Sequence, residues 1–232
     1  MGLSLYMARG ETISSRPMRA SATTLEPEIS NNELARLVAL LHAERFKGAH
    51  LEIGTAAGGT LRELMRVYPD ETRPRFVVVD PMTYFPDQLA KVRRNLNDAG
   101  LDPNRVDFRV TKSWPALHEA RHAGEMFSFI FVDGAHKMRY VTEDIAWAEL
   151  LEPGGIVCFH DYGPAERGVM MAVDRFLARH PNYAVVDRVE RLLIVRKLRA
   201  GQSEVSLWDR VRAWAIGLYL QLAAGARKRL AR

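Results

Sequence analysis

A chain of 232 residues with 47% hydrophobic side chains can bury one large core and needs no second domain. Its formal charge of +5 is unevenly placed, because residues 196–232 hold nine Lys/Arg against two acids and leave 24 basic against 26 acidic side chains in residues 1–195. That near-neutral body argues against nucleic acid as a partner, since binding there rests on basic surface, and the lone Cys158 excludes an intramolecular disulfide framework.

Residues 1–28 are rich in Ser, Thr, Met and Arg and contain no sustained apolar run of the kind a signal peptide requires. Tyr6 also stands where a myristoylation signal at Gly2 wants Ser or Thr. The segment reads as a flexible arm able to fold over a site. Ser30-Asn-Asn-Glu33 then forms a capping box for a helix through about Arg45, with Leu34, Leu37, Val38 and Leu41 on one face.

Leu51-Glu-Ile-Gly54-Thr-Ala56-Ala-Gly58-Gly59-Thr60 is a strand-like run ending in a Gly-rich turn that opens a helix near 58–67. Glycines let a backbone pass close to a ligand, and N–H groups at a helix start meet carboxylates or phosphates. Dinucleotide folds want G-x-G-x-x-G with an acid roughly 20 residues on. Here Glu52 stands two positions before the first Gly and Ala56 replaces the second, which is the pattern of S-adenosylmethionine (SAM) sites.

The apolar run at 75–80 ends in Asp80, spaced from Gly54 so as to receive the two ribose hydroxyls of a nucleoside. Tyr84 and Phe85 come next, either lining an acceptor pocket or plugging a loop. A helix near 86–99 and a strand near 105–110 succeed them. The run at 127–132 ends in Asp133-Gly-Ala-His136, a helix spans about 138–150, and a strand at 155–160 carries Cys158 and ends in His160-Asp161. A helix near 166–179 precedes two neighbouring strands, Tyr183–Val189 and Leu192–Lys197. This alternation predicts an α/β fold, a parallel sheet with helices on both faces. Acids at strand ends converge on one crevice in such sheets, although any one of them could instead cap a helix.

From Ser206 a helix-like segment places Leu207, Val211, Trp214, Leu218 and Leu222 on one face, and Ala213–Ala226 is apolar except for Gln221. That stretch is shorter than the ~20 residues needed to span a bilayer. Arg227-Lys228-Arg229 and Arg232 make a basic end. Three readings stand side by side: an interfacial membrane helix, a dimerisation arm, or a helix packed on its own domain. The organisation is thus an arm at 1–28, a catalytic domain at 29–199 and a basic apolar helix at 200–232.

Phe131-Val-Asp-Gly-Ala-His136, with Tyr140, Asp144, Leu150-Leu151, Gly154-Gly155 and His160-Asp161-Tyr162, resembles the D-G-x-H small-molecule O-methyltransferases among class I SAM-dependent methyltransferases. That group includes macrolide-sugar O-methyltransferases and has cephalosporin-hydroxylase-like relatives. The match covers roughly residues 30–198. It implies a Rossmann-like, doubly wound, seven-stranded, mostly parallel sheet with one antiparallel edge strand. It also implies a cytoplasmic enzyme, a homo-oligomer, that methylates a hydroxyl of a sugar, glycoside, glycolipid or natural product. On the cofactor side, the resemblance sets Glu52 toward the methionine amino group and Gly54 and Ala56 under the ribose and carboxylate. Gly58 and Asp133 join the cofactor site, Asp80 binds the ribose, and Ser113 and Trp114 lie near the adenine, where Trp114 could equally be core. Ala56 departs from the commoner E-x-G-x-G-x-G.

Methyl transfer to oxygen requires an acceptor that has lost its proton and is held in line with the methyl group. A divalent cation on carboxylates lowers the acceptor's pKa. Asp133 and Asp161 are the expected ligands, hard oxygens that suit Mg²⁺. His160 either completes the sphere, favouring Mn²⁺ or Fe²⁺, or acts as base. His136 is the favoured general base. Two rivals remain open: a metal-dependent hydroxylase-like oxidoreductase on the same fold, and a non-catalytic SAM-binding scaffold, against which the full Asp133, His136, His160, Asp161 set argues.

Overall fold

The computed structural model describes residues 26–201 and 205–230, except for the side chains of 221 and 223–230. The expected arm falls outside the described residues up to position 25. Helix α1 (Asn31–Glu44) opens as its spacing predicts: Ser30 Oγ accepts from the Glu33 N–H at 3.2 Å, and the Glu33 carboxylate accepts from the Ser30 N–H at 2.9 Å. Arg45, in the left-handed conformation, ends it. The face it buries is Leu37, Leu40 and Leu41, with Val38 only half-buried, and it carries Glu33 fully inside.

Strand and helix then alternate: β1 (Ala49–Ile53), α2 (Gly59–Arg66), β2 (Phe76–Val79), α3 (Gln88–Asp98), β3 (Val106–Arg109), α4 (Ser113–His122), β4 (Phe127–Val132) and α5 (Met138–Ile145). A 3₁₀ turn (Ala146–Leu150) leads into β5 (Leu151–Phe159), and the chain continues through α6 (Arg167–Arg179), β6 (Tyr183–Val189), β7 (Leu192–Lys197) and α7 (Leu207–Leu230). Helix α4 has no counterpart in the pattern reading. It buries only Ala116, Leu117 and Ala120, too few and too small for an apolar period to stand out, and Pro115 is tolerated because it lies in the first turn.

The seven strands lie in the order β3-β2-β1-β4-β5-β7-β6. Strands β1 to β5 are parallel, and β7 runs antiparallel to both β5 and β6. The single reversed strand therefore sits at this end of the sheet but one place in from its edge. Burial gives the reason: Leu192–Val195 of β7 are all buried and fill the slot beside β5, whereas β6 is half-exposed and suits the outside. Leu61, Val92 and Phe129 belong to the core under α1, α2 and α3; Leu117, Trp147 and Phe176 belong to the core under α4, α5 and α6. Helix α7 lies back along α5. Among the described residues no helix is long and apolar enough to cross a membrane.

Strand order reverses between β1 and β4, so their carboxyl ends part and open a crevice. Gly54 makes that junction tight. Its N–H reaches Val79 O at 3.1 Å, the neighbouring Ile53 carbonyl takes the Asp133 N–H at 2.8 Å, and φ is +81°. A Cβ at Gly54 would lie 2.3 Å from the Asp133 carbonyl oxygen. Gly54→Ala should therefore cost at least ~1–2 kcal/mol from the left-handed backbone alone, with the clash in addition. Urea unfolding monitored by circular dichroism checks this, and an unchanged midpoint would contradict the close approach.

Candidate active site

The Gly-rich turn is held from below by side chains. Asp80, at the end of β2, accepts the Thr55 N–H at 2.9 Å and the Met82 N–H at 2.6 Å, one on each carboxylate oxygen. Gln88 Nε2 donates to Ala56 O at 3.0 Å, and Asn95 Nδ2 to Ala57 O at 2.9 Å. Ala56 takes φ +43°, so the residue standing where a glycine is commoner keeps a left-handed backbone under this clamp. Gly58 faces elsewhere: a Cβ there would meet Val92 Cγ1 at 2.9 Å, which makes this glycine a packing contact between α2 and α3 and sets it off the cleft. Glu52 is buried, with Thr55 Oγ1 donating to it at 3.1 Å. Burial raises its carboxyl well above the usual range; the Thr55 hydrogen bond partly offsets this, and the charges of Asp133 and Asp80 add to it.

At the other end of the crevice stand Asp133 after β4 and His160-Asp161 after β5. Their ligand atoms lie within 4.8 Å of one another. His160 Nδ1 is 2.8 Å from Asp133 Oδ1 and 3.4 Å from Asp161 Oδ2, while Nε2 is 3.4 Å from Glu33 Oε2. Burial alone would lower the imidazole pKa, yet Asp133 and Asp161 raise it to about 10. His136 Nε2 lies 2.8 Å from Asp161 Oδ2, and its Nδ1 3.7 Å from Glu166. The bond to Asp161 raises this half-exposed imidazole against a smaller effect of burial. Burial pushes the Asp161 carboxyl up, but His136 and His160 together hold it well below the usual range. Arg191, from the β6–β7 turn, pairs with Asp161 through its guanidinium and gives its N–H to Glu33 Oε1 at 2.9 Å.

These two ends border one cleft of about 780 Å³, and Glu52, Gly54, Ala56, Asp80, Ser113, Asp133, His136, His160 and Asp161 all line it. Tyr84 is on its rim, 70% exposed, whereas Phe85 is covered by Lys91 Nζ, 4.6 Å from the ring centroid. Trp114 stands back from the cleft under the Arg210 guanidinium, 3.8 Å from its ring. Glu33 and Arg191 were missed as site residues, the first because its capping role already explained it. Asp144 was visible only as part of a motif. It is buried at the cleft wall, hydrogen-bonded to Ser113, whose Oγ accepts Trp147 Nε1–H at 2.9 Å.

The family described as a methyltransferase domain matches residues 51–162, the span holding the turn, Asp80, Asp133, His160 and Asp161. The chain carries a class I methyltransferase domain. The enzyme it belongs with is a SAM-dependent methyltransferase, as the motif resemblance implies. Among solved structures, the O-methyltransferase from Bacillus cereus in complex with SAH is similar at 20% identity, over 73% of this chain and 83% of that one, with a TM-score of 0.59. The O-methyltransferase TomG from Streptomyces achromogenes, involved in tomaymycin synthesis and solved with SAM, is 21% identical over 75% and 82% of the two chains, with a TM-score of 0.59. An apo TDP-rhamnose 3'-O-methyltransferase of calicheamicin biosynthesis is 17% identical over 71% and 78%, with a TM-score of 0.58. At these identities the likeness is one of fold. Curated proteins give no match.

Asp144 should make the stability of the domain depend on pH. Burial pushes its carboxyl from 3.8 up to about 7, with Ser113 opposing and Glu143 assisting. The folded state keeps a proton that the unfolded chain has already lost, so this group's contribution falls as pH rises from about 4 to 7. Asp144→Asn should remove that loss and leave the variant more stable than wild type by about 1–4 kcal/mol at pH 8, with the gap closing toward pH 4. Thermal melts across that range test it, and a constant difference would contradict the assignment.

Proposed function

We propose that this enzyme transfers the methyl group of SAM to a hydroxyl of a small molecule, with a divalent cation held by Asp133, His160 and Asp161. One observation carries the reading: a single cleft is bordered at one end by the Gly-rich turn and Asp80, and at the other by three convergent donor groups. When bound, SAM would supply a methyl group on a sulfonium centre, and a cation at the three donors would supply positive charge lowering the pKa of the acceptor hydroxyl.

The residues present fit both groups. Glu52, a buried carboxyl beside Asp80 and Asp133, suits a cationic partner such as the methionine ammonium, which would restore its charge. The Asp80 oxygens each accept one backbone N–H and retain further lone pairs for ribose hydroxyls. His160 offers Nδ1 to the trio while Glu33 faces its Nε2, the arrangement in which an outer carboxylate fixes a ligating imidazole. Its burial and carboxylate shell favour the ligand role over the base role. His136 remains as base: it lines the cleft, Asp161 holds its Nε2, and Nδ1, 3.7 Å from Glu166, is the nitrogen left to take the acceptor's proton. The acceptor class stays as the motif resemblance implies, a hydroxyl of a sugar, glycoside, glycolipid or natural product, and a catalytic body without basic excess speaks against nucleic acid.

Calorimetry should show SAM binding that Asp80→Asn weakens by about 1–3 kcal/mol, the loss expected when hydroxyls lose a charged acceptor. The Asn variant is preferred to Ala because its one oxygen still accepts from one of the two N–H groups, Thr55 or Met82, that Asp80 holds. Asp161→Asn should abolish Mn²⁺ binding, read by electron paramagnetic resonance, and spare SAM affinity; His136→Ala should keep both and lose turnover. Absence of SAM binding in the wild type would remove the nucleoside assignment, and full activity in excess EDTA the metal role.

A further inference from the structure

Helix α7 is fastened to the catalytic domain along one side only. Ala213 is buried, a Cβ at Gly217 would lie 4.0 Å from Met138 Cβ, and Arg210 Nη2 reaches Glu143 at 3.3 Å. Asp209 pairs with Arg175 at 3.6 Å and with Arg179. The other side presents Leu207, Trp208, Trp214, Leu218, Tyr219 and Leu222 to solvent, each between 45% and 78% exposed. A contiguous apolar stripe of this kind marks an interaction surface.

Charge chooses its occupant. Six basic residues and no acid lie beyond Asp209 in the sequence, five of them besides the Arg210 that pairs with Glu143. A second copy packed on this stripe would bring five more such charges alongside them, whereas an anionic lipid surface neutralises them. Trp and Tyr beside Leu, on a helix carrying basic residues, is the composition of a helix lying in the headgroup region. The direction of the helix agrees. Arg210 sits beside Glu143 and Gly217 beside Met138, so α7 runs antiparallel to α5 and passes the first residue of α5, which comes after the carboxyl end of β4. It continues 13 residues to Leu230, about 20 Å at helical rise, on the side of the sheet where the cleft opens.

We propose that α7 docks this enzyme on an anionic bilayer, its exposed apolar face among the headgroups and its basic end against lipid phosphates. The docking is independent of the chemistry proposed for the cleft, and its test makes no use of that chemistry. Full-length protein is sedimented with vesicles of phosphatidylcholine alone and of phosphatidylcholine mixed with phosphatidylglycerol. Binding is expected to the mixed vesicles, weakened by salt, with brominated lipid quenching Trp fluorescence. Trp214→Glu/Leu218→Glu should lose it at least tenfold with an unchanged thermal midpoint, since both side chains are exposed. Changing Arg227, Lys228 and Arg229 to Gln should weaken binding to mixed vesicles roughly a hundredfold, about fivefold for each charge. Failure to sediment with either vesicle would overturn the proposal. So would a dimer in solution that Trp214→Glu/Leu218→Glu converts to monomer without any lipid dependence, which would assign the stripe to a second copy.

Discussion

A buried imidazole among carboxylates joins the parts of this protein that the chain supplies separately. His160 meets Asp133 from the end of β4, its own neighbour Asp161 and, across the ring, Glu33 from α1. Taking these charges out of water costs several kcal/mol per ion unless every one is partnered. Here the partners are shared: Asp161 also receives His136 and Arg191, and Glu33 also receives the Ser30 and Arg191 N–H groups. Burial opposes ionisation of Glu33, yet these donors keep its carboxyl below the usual range. Removing one member would strip its buried neighbours of a partner each, so the cluster ties together α1, two strand ends and the β6–β7 turn.

The cleft also concentrates backbone strain. Ala56, Met82, Asp87 and Asp161 all have positive φ without being glycine, and each lies in a loop at the carboxyl ends of β1, β2 or β5. Such conformations persist when surrounding bonds over-determine them. Gln88 on Ala56 and Asp80 on Met82 are those bonds at the Gly-rich end, and His136 and Arg191 serve at Asp161.

Residues were legible in sequence where function depends on chain-local pattern. Asp80, Asp133 and Asp161 each end an apolar run, and a parallel sheet brings such ends together without further information. Gly58 looked alike and was not: only the packing of α3 shows that its missing side chain makes room for Val92. Arg191 lies 30 residues from the aspartate it pairs with and reaches it through a hairpin whose order in the sheet no period reveals. The methyltransferase resemblance supplied the sheet and its count of strands, while the place of β7 was decided by which strand had four buried residues to cover. Helix α4 escaped because small residues bury it.

In Glu33 a helix cap and a site residue are the same side chain. Its partners lie 127 and 158 positions away in the chain, so the first turn of α1 gains its full set of bonds only after β5 and the β6–β7 hairpin have assembled. Fraying of α1 therefore disturbs contacts far along the chain. Loosening at Ser30 takes one carboxylate from the ring of His160, and opening of the hairpin takes one donor from Glu33, which couples local opening at the two places.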